Sequence, residues 1–595
     1  MKLRGRSVFV LSAFAALTLA LVLVSGCSRN HEPVVVSLIT VPSVVTAGQS
    51  VSLTAAVSND SSDAGVDWSC TGGSCGTFTP ARTASGASTV YTAPATAGTV
   101  TIVATAAADA TAQDSLDVSV VPVGSNGLLS GTYVFAVQGQ NEVGGYAATG
   151  TLVADGTGLI TGGEQDYADP SRQAGPDSLA GTYAVGPDGR GSIVLNVGNT
   201  DLPQRGVETF SITVLSAGHA LIMQFDGSAA SSGSLDLQSA SALDAAAISG
   251  PFAFTSQGED ISIALPIARG GVLSMNASAG SVTSGTYFEN DAGITMSSAV
   301  TGSVTAPDAF GRGTLDLSVG VSYVYYAIQG RALRLLEADS PSFVTAGSLF
   351  GQGDAGLNGT FSNASLTGNF ALAGAVATAY GSLAYAGQFA ADGAGNFTTG
   401  HSDLNNANFI TSTSIAGQTR YSITGAGVGT LDLPAAVDQL ASLASLRFFL
   451  IDPAIDPADP NNPAGGGGAL FLDFDILAVS TGQIVPQSAG DLAGGYAVSF
   501  EFVSSAGETD WLGRVLAADG ALTGTMDVNA SGVIDGNAAL TGSFTADAVN
   551  VGRWTGTLTG TGATHMIVLY RASGNRVVFM DVDAADVGIG ALEKL

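Results

Sequence analysis

Lysine is almost missing from this chain: Lys2 and Lys594 are the only two in 595 residues. Charged residues of all kinds make up 11% and aromatic residues 7%, with four histidines and three cysteines. Each shortage excludes something. Nineteen Lys and Arg against 49 Asp and Glu leave a formal charge of −30. Such a surface repels phosphate backbones, so nucleic acid is excluded as a partner. His31, His219, His401 and His565 are scattered at non-equivalent places, which argues against a shared metal site or a catalytic triad. Neither a Gly-x-Ser-x-Gly elbow between strand and helix nor a phosphate-binding loop is found. No catalytic residue, metal ligand or cofactor is therefore assigned. After residue 24 no apolar run is long enough to span a bilayer.

The one long apolar run is Val8–Val24, preceded by Lys2, Arg4 and Arg6 and followed by Ser25-Gly26-Cys27. A basic start, an apolar stretch and small residues before a cut have the layout of an export signal. At about 17 residues the run is also at the short edge of an uncleaved membrane helix. Either way, charge asymmetry places residues 28–595 outside the cytoplasm. The small-small-Cys ending resembles the lipobox of bacterial lipoproteins. That resemblance implies a signal peptide over 1–26, cleavage before Cys27, acyl chains on Cys27 as the membrane contact, and a linker over 27–33. Ser28 in place of Asp favours the outer over the inner membrane, in a periplasmic or surface-exposed position. Loss of the three basic residues would take the mature charge to −33.

Cys70 and Cys75 flank Thr-Gly-Gly-Ser, a hairpin-like tip placed for a local disulfide in an oxidising compartment. Zinc would need four ligands, and none are nearby in sequence. Around this tip, residues 34–122 read as a β-sandwich, with runs at Val34–Thr40, Ser50–Val57, Gly65–Cys70, Ser88–Thr92, Thr99–Ala106 and Asp114–Val121. Trp68 reads as the core ring between two sheets. Val66-Asp67-Trp68-Ser69-Cys70 and Val90-Tyr91-Thr92-Ala93-Pro94 resemble bacterial immunoglobulin-like domains, which implies a stalk beside the anchor.

The remainder repeats itself. Leu129-Ser130-Gly131-Thr132-Tyr133, Ile248-Ser249-Gly250-Pro251-Phe252, Leu366-Thr367-Gly368-Asn369-Phe370 and Leu492-Ala493-Gly494-Gly495-Tyr496 open four copies, 119, 118 and 126 residues apart at the glycine. These periods exceed solenoid repeats of about 20–50 residues, so each copy is a domain: 128–240, 246–353, 364–488 and 490–595. Within a copy, strands separated by Asp-Gly pairs (Asp155-Gly156, Asp188-Gly189, Asp392-Gly393, Asp519-Gly520) predict type I′ hairpins and an antiparallel meander of about seven to nine strands. Closure into a barrel would remove edges that lack guarding lysines. The fold class is therefore all-β: a sandwich followed by four barrel-like domains, expected as a string of independent beads. Arg190, Arg312 and Arg553 recur at Gly-Arg turns and read as loop anchors. Copy three adds a helix expected over Ala435–Leu446 and a solvated Pro-, Asp- and Gly-rich loop, Asp452–Gly468. The tandem resembles repeat regions of uncharacterised bacterial envelope lipoproteins, for which no activity is implied.

Function at this level is a lipid-anchored envelope protein with a structural or adhesive role, meeting a cell-surface protein or glycan. Two alternatives stand beside it. One is a small ligand inside each barrel, with Tyr323, Tyr325 and Tyr326 as candidate wall residues. The other is polysaccharide binding or hydrolysis, which needs exposed aromatics that three tryptophans hardly supply.

Overall fold

The structure, a computed structural model, describes residues 32–72, 75–338, 342–376, 382–407, 410–417, 420–432, 445–475, 478–583 and 585–595. The signal segment, Cys27 and His31 lie outside the described residues, as does the expected helix up to residue 444. Its last two residues, Ser445 and Leu446, instead open the strand Ser445–Leu450. Leu446, Phe448 and Leu450 point into a barrel core at every second position, which is a strand period and not a helical one. No helix among the described residues is long and apolar enough to cross a membrane.

Residues 35–121 form two packed sheets. One holds Val35–Thr40, Ser50–Ser58, Ser88–Thr92 and Thr77–Thr79; the other holds Val44–Thr46, Asp109–Val121, Gly98–Ala106, Val66–Thr71 and Arg82–Thr83. Trp68 lies in the core, with its indole N–H donating to Thr83 Oγ1 at 3.1 Å.

Copies one, two and four are closed eight-stranded up-and-down barrels, and copy three is a nine-stranded barrel-like sheet of the same strand order, because its fourth strand is split in two. Barrel 1 runs from Ser130–Asn141 to Ala229–Leu237, barrel 2 from Ser249–Asp260 to Phe343–Gly351, and barrel 4 from Gly494–Ser504 to Val587–Lys594, each closed by first-to-last strand pairing. Barrel 3 runs from Thr367–Val376 to Thr481–Pro486. Its fourth strand is split: Ile410–Ser414 pairs backwards with Phe397–Asn405, Arg420–Ile423 pairs forwards with Val428–Asp432, and one bridge, Asn396 to Arg420, spans the seam. The interiors are filled. In barrel 1, Tyr133, Phe135 and Val137 alternate inward toward Leu152, Ile193 and Phe210. The Asp-Gly turns differ from expectation. Only Asp519-Gly520 has both residues at positive φ, as type I′ demands. Asp155 keeps ordinary φ, and its carboxylate accepts the N–H groups of Thr157 at 2.7 Å and Leu159 at 3.0 Å, so side-chain capping shapes that turn.

The barrels do not form a string. The second strand of each crosses the later strands of the next: 144–155 on barrel 2, 265–276 on barrel 3, 383–392 on barrel 4, and 507–518 back on barrel 1. Four head-to-tail contacts thus close a ring within one chain. At three of the four junctions the contact is an arginine–aspartate pair in the same place. The recurring arginine opens the fifth strand of its barrel and reaches an aspartate in the third strand of the preceding one. Arg312 donates through Nε and Nη2 to Asp166 at 2.6 and 2.9 Å, and Arg553 to Asp403 at 2.9 and 3.0 Å. Arg190 pairs with Asp527 across the junction that joins barrel 4 to barrel 1. These arginines are inter-barrel clamps, not loop anchors. Tyr326 and Tyr570, one strand over, add their hydroxyls to Asp166 and Asp403.

At the junction of barrels 2 and 3 all three positions change together. Phe288 replaces the aspartate, Val428 the arginine and Phe449 the tyrosine, and the two rings pack 5.7 Å apart in one apolar cluster. A second contact repeats as well. Asn290, Asn405 and Asn529 each donate Nδ2 to three carbonyls of the turn between strands seven and eight of the next barrel, for example Asp473 and Ala478 at 2.9 and 2.8 Å. Gln238 and Gln352, just past the last strand, donate to two carbonyls of the next barrel, and Gln487 donates to one, that of Arg571.

Barrels 1 and 4 are not consecutive in the chain, so no linker joins them. The sandwich lies across their junction. Ser43 donates to Asp527 at 2.8 Å, Val44 N–H to Ser192 Oγ at 3.0 Å, Asn537 Nδ2 to Asp117 O at 3.2 Å, and Gly227 N–H to Ile39 O at 2.9 Å. It is a clasp on the ring, where a stalk was expected.

Removing one partner of a buried ion pair leaves the other charge uncompensated at about 3–5 kcal/mol, while replacing the whole set by apolar groups is near neutral. Asp403→Ala takes the bidentate partner from Arg553, which keeps Asp547 at 2.9 Å, and is expected to lower stability, read as the urea midpoint, by an amount toward the low end of that range. The combined Asp403→Phe, Arg553→Val and Tyr570→Phe variant, which copies the junction of barrels 2 and 3, is expected to lose much less. Equal losses in the two variants would show that the junction is not interchangeable.

Candidate functional site

The first strands of the four barrels meet at the ring axis. Because every second residue of each, such as Tyr133 and Phe135, Phe252 and Phe254, Phe370 and Leu372, or Tyr496 and Val498, fills its barrel, the residues between them face the axis, and one equivalent position carries Gln138, Gln257, Ala375 and Glu501. They link neighbour to neighbour. Gln138 Nε2 donates to Gln257 O at 2.8 Å, Gln257 Nε2 to Ala375 O at 3.3 Å, and Ser232 Oγ to Glu501 Oε2 at 3.3 Å. Three cavities of about 240, 300 and 260 Å³ follow the axis and share Ser232 in their walls. All four barrels contribute, with Gln138, Arg334, Gln483 and Arg576 among the polar lining.

One end is covered by the loop 452–468, expected to be solvated. Ile455, Asp456 and Pro460 are instead buried, because the loop crosses to the other barrels. Asn461 Nδ2 donates to Gly218 O and Leu237 O of barrel 1 at 3.0 and 3.1 Å, and Gln329 Nε2 of barrel 2 donates to Pro460 O at 3.0 Å. Pro457 and Ala458 reach the cavity wall. Beneath this cap is a buried ionic cluster. His219 Nδ1 lies 2.8 Å from Asp236 and Nε2 lies 3.3 Å from Glu593, while Arg334 donates to the second Asp236 oxygen at 2.8 Å. Burial alone would lower the His219 pKa, but the two carboxylates outweigh it and hold the ring protonated, to about 10. Burial is likewise outweighed at Asp236, by Arg334 and then His219, and at Glu593, by His219 and then Arg576; both stay below the usual carboxylate range.

The other histidines give no catalytic relay. His401 faces Ser412 Oγ at 2.8 Å and Asp403 at 3.8 Å through the same Nε2, and Asp403 is already clamped by Arg553. His565 is buried in barrel 4 against Asp581 at 2.6 Å, ringed by Phe500, Phe502 and Trp511. Tyr323 and Tyr325 are core residues of barrel 2, whereas Tyr326 points out to Asp166. The Cys70 and Cys75 sulfurs lie 2.13 Å apart at the sandwich tip, about the length of a disulfide bond and remote from the axis. Sequence reasoning missed the axis because its residues are remote in sequence; the available signal was the shared offset of seven from the opening glycine.

No protein-family model matches the sequence, and no curated protein matches it. Among solved structures, transferrin binding protein B from serogroup B Neisseria meningitidis is 7% identical, with 63% of this chain and 83% of that chain covered at a TM-score of 0.16. Intact Ap-TbpB, with N and C lobes, is 8% identical over 96% of each chain at 0.12, and CghA is 11% identical over 58% and 89% at 0.15. At such scores no ligand, partner or cellular place passes from them to this chain.

The His219 cluster makes stability depend on pH. The folded pKa of about 10 lies above the ordinary 6.5, so the contribution is fully present below pH 6.5 and is lost as pH rises through 10. Asp236 and Glu593 act in the opposite sense: their depressed values contribute above the ordinary carboxylate range and fade as pH falls through it. The gap in thermal midpoint between wild type and His219→Gln is expected to be largest near pH 6 and to shrink steadily toward pH 10. A gap that does not change over that range would mean His219 is neutral in the folded chain.

Proposed function

We propose that this chain is a non-catalytic interaction protein of the bacterial cell envelope, tethered by acyl chains on Cys27 and presenting one rigid ring to an extracytoplasmic protein or glycan. The signal layout and lipobox resemblance support the tether. The observation that carries the interaction role is a repeated exposed aliphatic residue. Ile294, Ile410 and Val533 each open the fourth strand of their barrel, paired with the last residue of the third, and stand 76%, 41% and 72% exposed. Single exposed apolar residues are ordinary; three at one equivalent position are a pattern. Up-and-down connectivity puts these turns at the same barrel end, opposite the capped end of the axis. At the equivalent turn barrel 1 carries Arg172, which lies 3.8 Å from Asp169, so the aliphatic position is shared by three of the four barrels.

A small polar ligand in the axial cavities is the second reading, favoured by the Ser, Gln and Arg side chains that line them and by the filled barrel interiors.

Changing Ile294, Ile410 and Val533 together to Ser is expected to leave the thermal midpoint within a few degrees and to abolish adhesion of expressing cells to the surface that wild-type cells bind. Unchanged adhesion would remove this face from the function. Cys27→Ser is expected to stop incorporation of labelled palmitate and to move the chain from the membrane to the soluble fraction. An unacylated wild-type chain in the cytosol would overturn the tether.

A further inference from the structure

The junction that closes the ring carries charges that its three sister junctions do not. Glu501, Glu508 and Asp510 of barrel 4 each offer a carboxylate oxygen, and these atoms lie within 4.8 Å of one another. Asp510 is fully buried and Glu508 nearly so. Both Asp510 oxygens and Glu508 Oε1 have no hydrogen-bond partner, and none of the three residues makes an ion pair among the described residues. The hydrogen bond from Ser232 to Glu501 is the one polar contact described within the set. Several other buried charges of the ring have a counter-charge, His219 with Asp236, Arg269 with Glu337 and Arg553 with Asp403, while the buried Glu208 and Asp226 of barrel 1 are held by hydrogen bonds from Gln165 and from Thr209, Gln224 and Ser228. Three close carboxylates with unpartnered oxygens away from water are unfavourable unless a proton or a cation joins them.

The fold does not ask for them. Strand register makes Asp510 equivalent to Ala147, Ala268 and Ala384, and Glu501 to Gln138, Gln257 and Ala375. At the sister junctions the alanines pack in apolar clusters. We infer that Glu501, Glu508 and Asp510 bind a divalent cation of the calcium class between barrels 4 and 1. Two oxygens at about 2.4 Å from one ion are at most about 4.8 Å apart, so the spacing suits a single hard cation. The adjoining cavity of about 260 Å³, walled by Glu501, Glu508 and Ser232, has room for the waters that would complete the shell. Gly139 of barrel 1 leaves the space open: a Cβ there would stand 2.7 Å from Glu508 Oε1. Burial, and then the neighbouring carboxylates, push Glu508 and Asp510 well above the usual range, so protons compete for the same oxygens. The cation would bridge the one junction without a covalent linker, beside the sandwich clasp. This goes beyond the envelope reading and does not depend on it.

The test uses the purified chain from residue 28 onward, stripped with chelator and titrated separately with calcium chloride and magnesium chloride near neutral pH. Wild type is expected to take up one cation at a dissociation constant of roughly 0.1–1 mM, the range of extracellular calcium modules, and to gain thermal midpoint with it. Glu501→Gln with Asp510→Ala installs residues that sister barrels already carry. This variant is expected to fold, to weaken uptake at least tenfold and to lose the thermal gain. Asp459 of the cap loop lies beside His219 and Asp236 in a separate cluster, and Asp459→Asn is expected to behave as wild type. Should the double variant fail to fold, Glu501→Gln alone is measured against the same expectation. Wild type that ignores both cations up to about 10 mM, or a double variant that responds as wild type does, would overturn the site. A cation-blind wild type less stable than the double variant would overturn it in favour of protonated acids.

Discussion

One contact holds this architecture: a residue at the start of a fifth strand set against a residue in the third strand of the barrel before it. Used once, such a heterologous contact joins two domains; repeated at a constant rotation it either runs on or closes. Here it closes after four. The chemistry of the contact is negotiable. Arg312, Arg553 and Arg190 meet Asp166, Asp403 and Asp527, yet Val428 meets Phe288 with the same placement. Desolvation offsets most of what a buried pair gains, so a matched apolar set is a comparable solution. At the apolar junction the tyrosine position is Phe449 where the facing aspartate is Phe288, whereas barrel 1 keeps Arg190 on Asp527 with Thr213 at the tyrosine position.

A ring from one chain has a weak point. Three junctions are held at high effective concentration by short linkers, each reinforced by Gln238, Gln352 or Gln487. The fourth has only its surfaces. The sandwich compensates, since Ser43 and Ser211 both donate to the Asp527 that receives Arg190, so sandwich, barrel 1 and barrel 4 converge on one carboxylate. The sandwich is therefore part of the ring closure.

Much of the fold was legible in the residues. Opening glycines located the copies, Val and Thr alternation located the strands, and the shortage of lysine argued against open edges. The same shortage had a second cause that one-dimensional reading could not separate. In a free barrel the outward residues alternate as polar; here many face a neighbouring barrel, so Ala147, Ala268 and Ala384 are as buried as the core. The arginines were noticed for their recurrence, but their partners stand 146 to 337 positions away, and nothing local marks them. The loop 452–468 looked solvated because Pro, Asp and Gly are turn formers; its asparagine and carbonyls are spent on other barrels. The axial position was visible as a fixed offset in four copies, and only the ring gives that offset meaning.

The outward apolar faces also decide how the chain behaves as a material. A barrel excised from the ring would expose the clusters that bind barrel 2 to barrel 3 or barrel 3 to barrel 4, each several large side chains wide. Exposed patches of that kind drive association. The copies therefore fold as domains in topology but not in energetics, because each supplies a neighbour with part of its burial. Rigidity follows from the same fact. Four barrels that share their outer faces cannot rock independently without opening a junction, so a ligand at the turn face or the axis would meet a preformed surface, with little ordering left to be done on contact.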